Sequence, residues 1–188
     1  SKRFLFPDSG FSVKYDGPYR YLYGFHFYSP NGRRVAFGNV KERREKGFKE
    51  AIGVAASKEI LMRSLLKEAQ ENGVEVFPGT NVDGIEKSGE WVVIRGSGKE
   101  FEGKFVIAAD GVNSRVVRLM GLNKGRKFFA TMNMVTWEME GVELDDKEVI
   151  LFIVGKEADF SMMYQFNGNV HFASASYDHT VNLDAAID

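Results

Sequence analysis

"KFVIAADGVNSRVVRLMGL", residues 104–122, starts as an apolar strand, turns a corner at Ala-Ala-Asp-Gly and leaves as a short helix. Residues 105–109 are nearly all apolar, the pattern of a central strand covered on both faces. Ala108 and Ala109 leave room for something to approach the strand's carboxyl end, and the crevice outside such ends is where open α/β sheets bind ligands. Gly111 permits a backbone angle or a close approach that a Cβ would forbid. Asp110 can accept hydrogen bonds from loop amides, and Asn113 or Ser114 can cap a helix that runs to Met120 before Gly121 stops it. Asp-Gly is the commonest kind of turn dipeptide, so on these residues alone the plain structural corner is the first reading and a ligand site the second.

The flanking sequence supplies a frame. From Ser57 to Asn72 the period is helical: Leu61, Met62, Leu65, Leu66 and Ala69 share one face, Ser57 caps the start, Glu59 favours the first turn and Gly73 supplies a left-handed stop. "VEVF" follows at once and is expected to be a strand, as in a wound α/β unit. Three further strands are expected, "NVDGIEK", "WVVIRG" after a Ser88-Gly89 turn, and "FEGKFVIAA" after "SGKE". The first 40 residues read as strands and turns, with aromatic "YRYLYGFHFY" and hairpin chemistry in "SPNG" before "RRVAFG". "KERREKGFKE", residues 41–50, reads as a solvated loop or frayed helix that could also meet a phosphate.

Toward the other end, "KFFATMNMVTWEME", "EVILFIVG", "FSMMYQF" and "VHFASASY" are expected to be long antiparallel strands, the last two joined at Asn167-Gly168-Asn169. Alternation puts Thr131, Asn133, Val135 and Trp137 on one face and Met132 and Met134 on the other. One of these faces is expected to meet substrate, although methionine and aromatic stripes are also ordinary core.

Composition removes several function classes. A chain of 188 residues with 44% apolar content and a formal charge of -1 carries no electrostatic footprint for nucleic acid. It has no cysteine, so disulfides and thiolate metal sites are excluded, and its three histidines are too far apart in sequence to form a local ligand pair. No metal site is expected. No apolar run reaches the roughly 20 residues that span a bilayer, and a reducing, cytoplasmic setting fits the cysteine-free composition.

"FVIAADGVNSRVVRLMGL" resembles the Asp-Gly motif of the flavoprotein hydroxylases and the geranylgeranyl reductase family, in which a hydrophobic strand ends in Ala-Asp-Gly followed by a serine and basic residues. "SKEILMRSLLKEAQENGVEVFPGTNV" resembles the same family's segment of helix, Gly-Val, strand and Gly-Thr-x-Val turn. The resemblance implies that Asp110 and Gly111 lie near the pyrophosphate of FAD and the path of a nicotinamide cofactor. It also implies that the backbone of Val82 holds the adenine edge and that Lys58 stands where an arginine contacts the FAD phosphates or ribose. Lys58 departs from the pattern, because a lysine offers a point charge without a bidentate fork. Arg115 and Arg118 match only approximately, since the family often has an arginine where this chain has Val117.

The fold expected from this resemblance is α+β: part of an FAD/NAD(P)-binding α/β domain, with a helix, parallel strands and a β-meander over residues 52–125, joined to an antiparallel substrate-domain sheet from residues 1–51 and 126–188. The function it implies is that of an FAD-dependent oxidoreductase with NAD(P)H as electron donor, reducing a double bond of an apolar, isoprenoid-type substrate. Flavin monooxygenase chemistry and a non-catalytic module for an apolar ligand are the alternatives. The expected partner is a small apolar or aromatic substrate, with peripheral membrane contact in the full-length protein. No Gly-x-Gly-x-x-Gly follows any strand, and "RGSGKE" reads as a hairpin turn. The family carries that motif at its extreme N-terminus, so the chain is expected to be an internal piece of a longer flavoprotein, inactive by itself.

Overall fold

The computed structural model describes residues 2–6, 11–125, 127, 130–155, 158–178 and 180. Two compact units are formed, one from residues 1–72 and 130–188, the other from residues 73–129. The first begins with β1 (Lys2–Phe6), β2 (Phe11–Tyr15), β3 (Tyr19–Leu22), β4 (Gly24–Tyr28) and β5 (Arg34–Phe37). It continues through α1 (Val40–Lys46), a single 3-10 turn (Phe48–Glu50), β6 (Gly53–Ala56) and α2 (Lys58–Glu71). The second holds β7 (Val82–Ser88), β8 (Trp91–Gly96), β9 (Lys99–Gly103) and α3 (Arg115–Leu119). The chain then returns to the first unit as β10 (Asn133–Met139), β11 (Val149–Ile153), β12 (Phe160–Phe166) and β13 (Asn169–Ser176).

A six-stranded sheet in the order β10-β13-β12-β11-β4-β5 dominates the first unit. Its pairs are antiparallel except β11 with β4, which run parallel and set Phe152 beside Phe27 and Leu151 beside His26. The expected antiparallel sheet of the carboxyl-terminal half is therefore present and is widened by two strands from the amino-terminal region. The Asn167-Gly168 turn has φ of 52° and 90°, as a tight two-residue hairpin requires. Asn133, Val135 and Trp137 do share one face of β10, with Met134 on the other, whereas Thr131 and Met132 precede the strand.

The two faces of this sheet differ. Val149, Val170, Phe172, Gln165 and Ser174 point to the back, all nearly or fully buried, with Trp137 stacked on Phe172 and the Ser161 and Ser174 hydroxyls paired at 3.0 Å. Phe25, Phe27, Val35, Phe37 and Phe152 point to the front, where Val35 and Phe37 are more than half exposed. Only part of the front is covered: Phe166 packs with Leu22 of β3 and Ala55 of β6, joined by Ile52, Ile150 and Tyr164.

α2 forms where the apolar period places it. The Ser57 hydroxyl accepts from the Ile60 amide, Gly73 follows with φ of 86°, and the helix packs on β2. Its apolar face is only half covered, with Met62 and Leu66 exposed. Residues 41–50 are mostly helical, because Asn39 caps α1 and its ion pairs include Arg44 with Glu148 at 2.9 Å.

The strands expected in the first 40 residues are present, with "YRYLYGFHFY" divided at Tyr23 into β3, which pairs with β6, and β4, which joins the large sheet. Two strand expectations are corrected. "VEVF" is not a strand, and the strand expected through residue 109 ends at Gly103 as β9. Phe105 and Ile107 are 92% and 91% exposed rather than covered on both faces. Apolar alternation fixes where side chains point, but a strand also needs a neighbour for its backbone groups, and among the described residues neither segment has one.

Tyr15 ties β2 to α2. Its side chain is 1% exposed, its hydroxyl donates to the Pro18 carbonyl at 2.6 Å, and it accepts from the Ser57 amide at 2.9 Å. Gly17 beside it has no room for a Cβ, which would lie 2.7 Å from both Ile60 Cδ1 and the Tyr15 hydroxyl. Tyr15→Phe leaves a buried donor and acceptor unpaired and is expected to cost about 1–3 kcal/mol in denaturant unfolding. A cost under about 0.5 kcal/mol, the ordinary range of surface substitutions, would mean that this junction does not hold the helix.

Candidate functional site

The second unit is built around the β7-β8-β9 meander, turned at Gly89 and at Ser97-Gly98, all with positive φ. Arg95 of β8 fastens its neighbours, reaching Glu86 of β7 with two nitrogens at 2.9 and 3.0 Å and Glu100 of β9 at 2.6 Å. α3 packs on β7, placing the Asp110 corner and Val82 in one body. Val82 opens β7 opposite Gly96, at a bulge that lies between Val82 and Gly84. Its strand is an edge of the meander, so one side of its backbone faces no strand of that sheet.

Asp110 is committed to the corner itself. Oδ2 accepts from the Arg115 amide at 2.7 Å and the Val116 amide at 3.1 Å, while Oδ1 accepts from the Ser114 hydroxyl. Ser114 Oγ in turn accepts from the Val117 amide at 3.0 Å. Two side chains thereby satisfy the first three amides of α3, groups that a helix cannot bond within itself. The acceptor role expected for Asp110 is present, but its donors are helix amides and a hydroxyl rather than loop amides. Since a carboxylate already occupies the amino end of α3, a phosphate has no place there.

What the corner leaves open is the backbone just before the helix. Gly111 has φ of 83°, and a Cβ added to it would have no atom within 4 Å, so its outer side is free for close approach. The amides of Gly111, Val112 and Asn113 make no hydrogen bond among the described residues, and all three residues are exposed. Three successive free donors on a fixed turn suit an anionic group such as a pyrophosphate. Lys58 lies in the other unit, as the exposed first residue of α2, with no ion pair among the described residues. A cation in a helix's first turn opposes the macrodipole, so Lys58 does not serve α2 and is available to a ligand.

The aromatic front of the large sheet went unmarked in the sequence. The Phe27 and Phe152 rings stack with centroids 4.9 Å apart, Phe25 lies 5.7 Å from Phe152, and Phe37 meets Phe27 edge-on at 5.4 Å. Alternation in "GFHFY" and "VILFI" places these rings within their strands; bringing them together requires the parallel β4–β11 pair. Among the described residues no cluster of three or more metal-ligating side chains occurs, and no helix is long and apolar enough to cross a membrane.

The chain belongs to the FAD binding domain family, whose model matches residues 36–181, a span that includes both the meander and the Asp110 corner. The chain is also similar to digeranylgeranylglycerophospholipid reductases of several organisms. It is 31% identical over 134 residues to the protein of Methanocaldococcus jannaschii, covering 69% of this chain and 32% of that one. With reductase 1 of Methanothermobacter thermautotrophicus it shares 30% over 142 residues, covering 73% and 34%. The chain thus spans about a third of the length of these curated relatives. Among solved structures it is similar in fold to a flavoprotein/dehydrogenase from Cytophaga hutchinsonii, with a TM-score of 0.62 and 20% identity over 84% of this chain and 40% of the other. The halogenase PltM in complex with phloroglucinol and FAD superposes with a TM-score of 0.62 at 14% identity, over 90% and 39%.

The Asp110 carboxyl is held below the usual carboxylate range, chiefly by the Ser114 hydroxyl and then by the backbone amides of Val116 and Arg115. A depressed pKa contributes stability in full above the unfolded carboxyl value, about 3.9, and loses it as pH falls through the lower folded value. The Arg115 and Val116 amide resonances are therefore expected to titrate together with a midpoint below about 3.9, and Asp110→Asn should abolish that titration. A midpoint at or above that value would mean that the carboxylate does not hold the helix end.

Proposed function

We propose that the chain is part of an FAD-dependent oxidoreductase that reduces a carbon–carbon double bond of an apolar, isoprenoid-type substrate, with NAD(P)H as electron donor. The observation that carries the substrate class is the exposed aromatic front of the six-stranded sheet, because soluble domains seldom leave a contiguous patch of rings open without a use for it. Similarity to reductases named for a digeranylgeranyl lipid supports the same class.

The residues at the corner fit FAD. Gly111 and the amides of residues 111–113 would meet the pyrophosphate, the backbone of Val82 the adenine edge, and Lys58 the phosphates or ribose. Asp110 acts at one remove: it fixes the turn that aims those amides, and its own oxygens are already bonded. FAD, when bound, supplies the hydride chemistry that no side chain possesses. The chain's part is to bind the cofactor's polar half, to seat an apolar chain against Phe25, Phe27, Phe37 and Phe152, and to keep water from it. Residues 52–125 serve the cofactor and residues 1–51 and 126–188 the substrate in this reading. An apolar substrate also entails peripheral contact of the full-length protein with a membrane.

The decisive experiment uses full-length protein whose flavin has been reduced without oxygen. Adding a digeranylgeranyl lipid is expected to reoxidise the flavin anaerobically and to yield lipid with two added hydrogens per double bond. Reoxidation only on admitting oxygen, with a hydroxylated product, would replace the reductase by a monooxygenase. Gly111→Val, which puts a branched side chain on the open side of the corner, is expected to weaken FAD binding at least about tenfold, the loss of one or two hydrogen bonds to a charged group. Unchanged FAD affinity would move the cofactor away from Gly111.

A further inference from the structure

The stretch from Phe27 to Val54 contains no buried residue, although it runs through β5, α1 and the 3-10 turn. Its charge also sets it apart. Seven basic side chains stand against Glu42, Glu45 and Glu50, a net of +4 in a chain whose formal charge is -1, so the remaining residues carry -5. Internal pairing consumes little of this charge. Lys46 meets Glu42 and Arg44 meets Glu148, while Arg33, Arg34, Lys41 and Lys49 have no ion pair among the described residues.

The same stretch exposes apolar side chains. Val35, Phe37, Phe48 and Val54 are between 39% and 62% exposed, with Phe48 the most open. Phe37 belongs to the aromatic front, but Phe48 and Val54 do not. In the β3–β6 ribbon Leu22 and Ala55 turn toward Phe166, so the directly paired Tyr21 and Val54 turn to the opposite face. There Phe48 stacks on Tyr21 with centroids 5.9 Å apart, and Tyr19 meets Tyr21 edge-on at 5.4 Å. The arrangement is fastened in place. Arg43 of α1 donates to the Glu50 carbonyl at 3.3 Å, and the Ile52 amide donates to the Leu22 carbonyl at 2.8 Å, which ties helix and turn to the ribbon.

Cations beside open rings and aliphatic side chains fit one kind of surface, the interface of an anionic membrane, where lysine and arginine meet lipid phosphates and aromatic rings sit among the headgroups. A merely solvated face needs the charges but gains nothing from Phe48 and Val54. A nucleic acid would use the charges and the rings, yet it has no stacking use for the aliphatic Val35 and Val54.

We propose that the stretch from Phe27 to Val54 docks the protein on the surface of an anionic lipid bilayer, with the unpaired Lys41 and Lys49 toward the lipid phosphates and Phe48, Tyr21 and Val54 in the headgroup layer. This deepens the function proposed above, because β4 and β5 belong both to this stretch and to the rings assigned to the lipid substrate.

The test is sedimentation of the full-length protein with vesicles of phosphatidylcholine alone, or with a third of it replaced by phosphatidylglycerol. Binding to the mixed vesicles is expected to be at least about tenfold tighter and to fade as salt rises from about 0.1 to 1 M, which shortens the screening length from about 10 to 3 Å. Lys41→Gln with Lys49→Gln should weaken it at least about tenfold, each lost cation being worth about fivefold. Phe48→Ser, at an exposed position, should weaken it about fivefold. Equal binding to both vesicles, no binding, or variants that sediment like the parent would overturn the proposal. So would a single-stranded oligonucleotide that binds more tightly than the mixed vesicles, which would make nucleic acid the partner. Neither vesicle contains an isoprenoid substrate, so a protein that proves to be a monooxygenase can still dock, and a reductase that fails to sediment loses only this surface.

Discussion

The Asp110 carboxylate against the amino end of α3 is the interaction on which the corner at residues 110–114 depends. A five-residue helix has little internal support, since nearly all of its hydrogen-bonding capacity lies in its ends. Asp110 and Ser114 take up its first three amides, and Val116, 8% exposed, anchors the helix by burial. Once α3 is fixed, the turn before it is fixed as well, with Gly111 in the left-handed region and three amides facing outward. Asp110 therefore acts within the structure as a positioning group, and in the function proposed above the groups that would meet the cofactor are the backbone donors it aims.

The first unit follows a different logic, that of a sheet with unequal faces. The middle of its back, around Val149, Val170 and Phe172, is closed, with Ser161 paired to Ser174 and Gln165 to the Leu144 amide, whereas Arg34 at the β5 edge of that face is exposed. Its front is an open row of rings. Both faces are written into the same strands by the two-residue period, so β4 delivers Phe25 and Phe27 to one side and His26 to the other. Changing the register of β4 by one residue would exchange them.

Local features proved readable because local physics decides them. The Ser57 cap, the Gly73 stop, the Asn167-Gly168 hairpin and the meander turns each need particular residue types at fixed offsets. The family resemblance, carried by the Asp110-Gly111 corner and the helix–Gly-Val segment, agrees with the FAD binding domain match. What depended on distant pairing was not readable. The parallel union of β4 with β11 joins segments more than 120 residues apart, and no local pattern announces it. Residues 74–77 and 105–109 have strand-like side chains, yet the described residues offer them no neighbour. The donors to Asp110 were missed for a smaller reason: an Asp four residues ahead of the capping Ser lies outside the usual capping box, which looks three residues downstream of the cap.

The central claim is that FAD lies against the backbone of the corner that Asp110 locks. Amide hydrogen exchange of the full-length protein, compared with and without FAD, tests it most directly. The account predicts that FAD slows exchange at Gly111, Val112 and Asn113, whose amides make no hydrogen bond among the described residues. Arg115 and Val116, already held by Asp110, should change little. Protection that leaves residues 111–113 untouched would contradict the account and place the cofactor elsewhere.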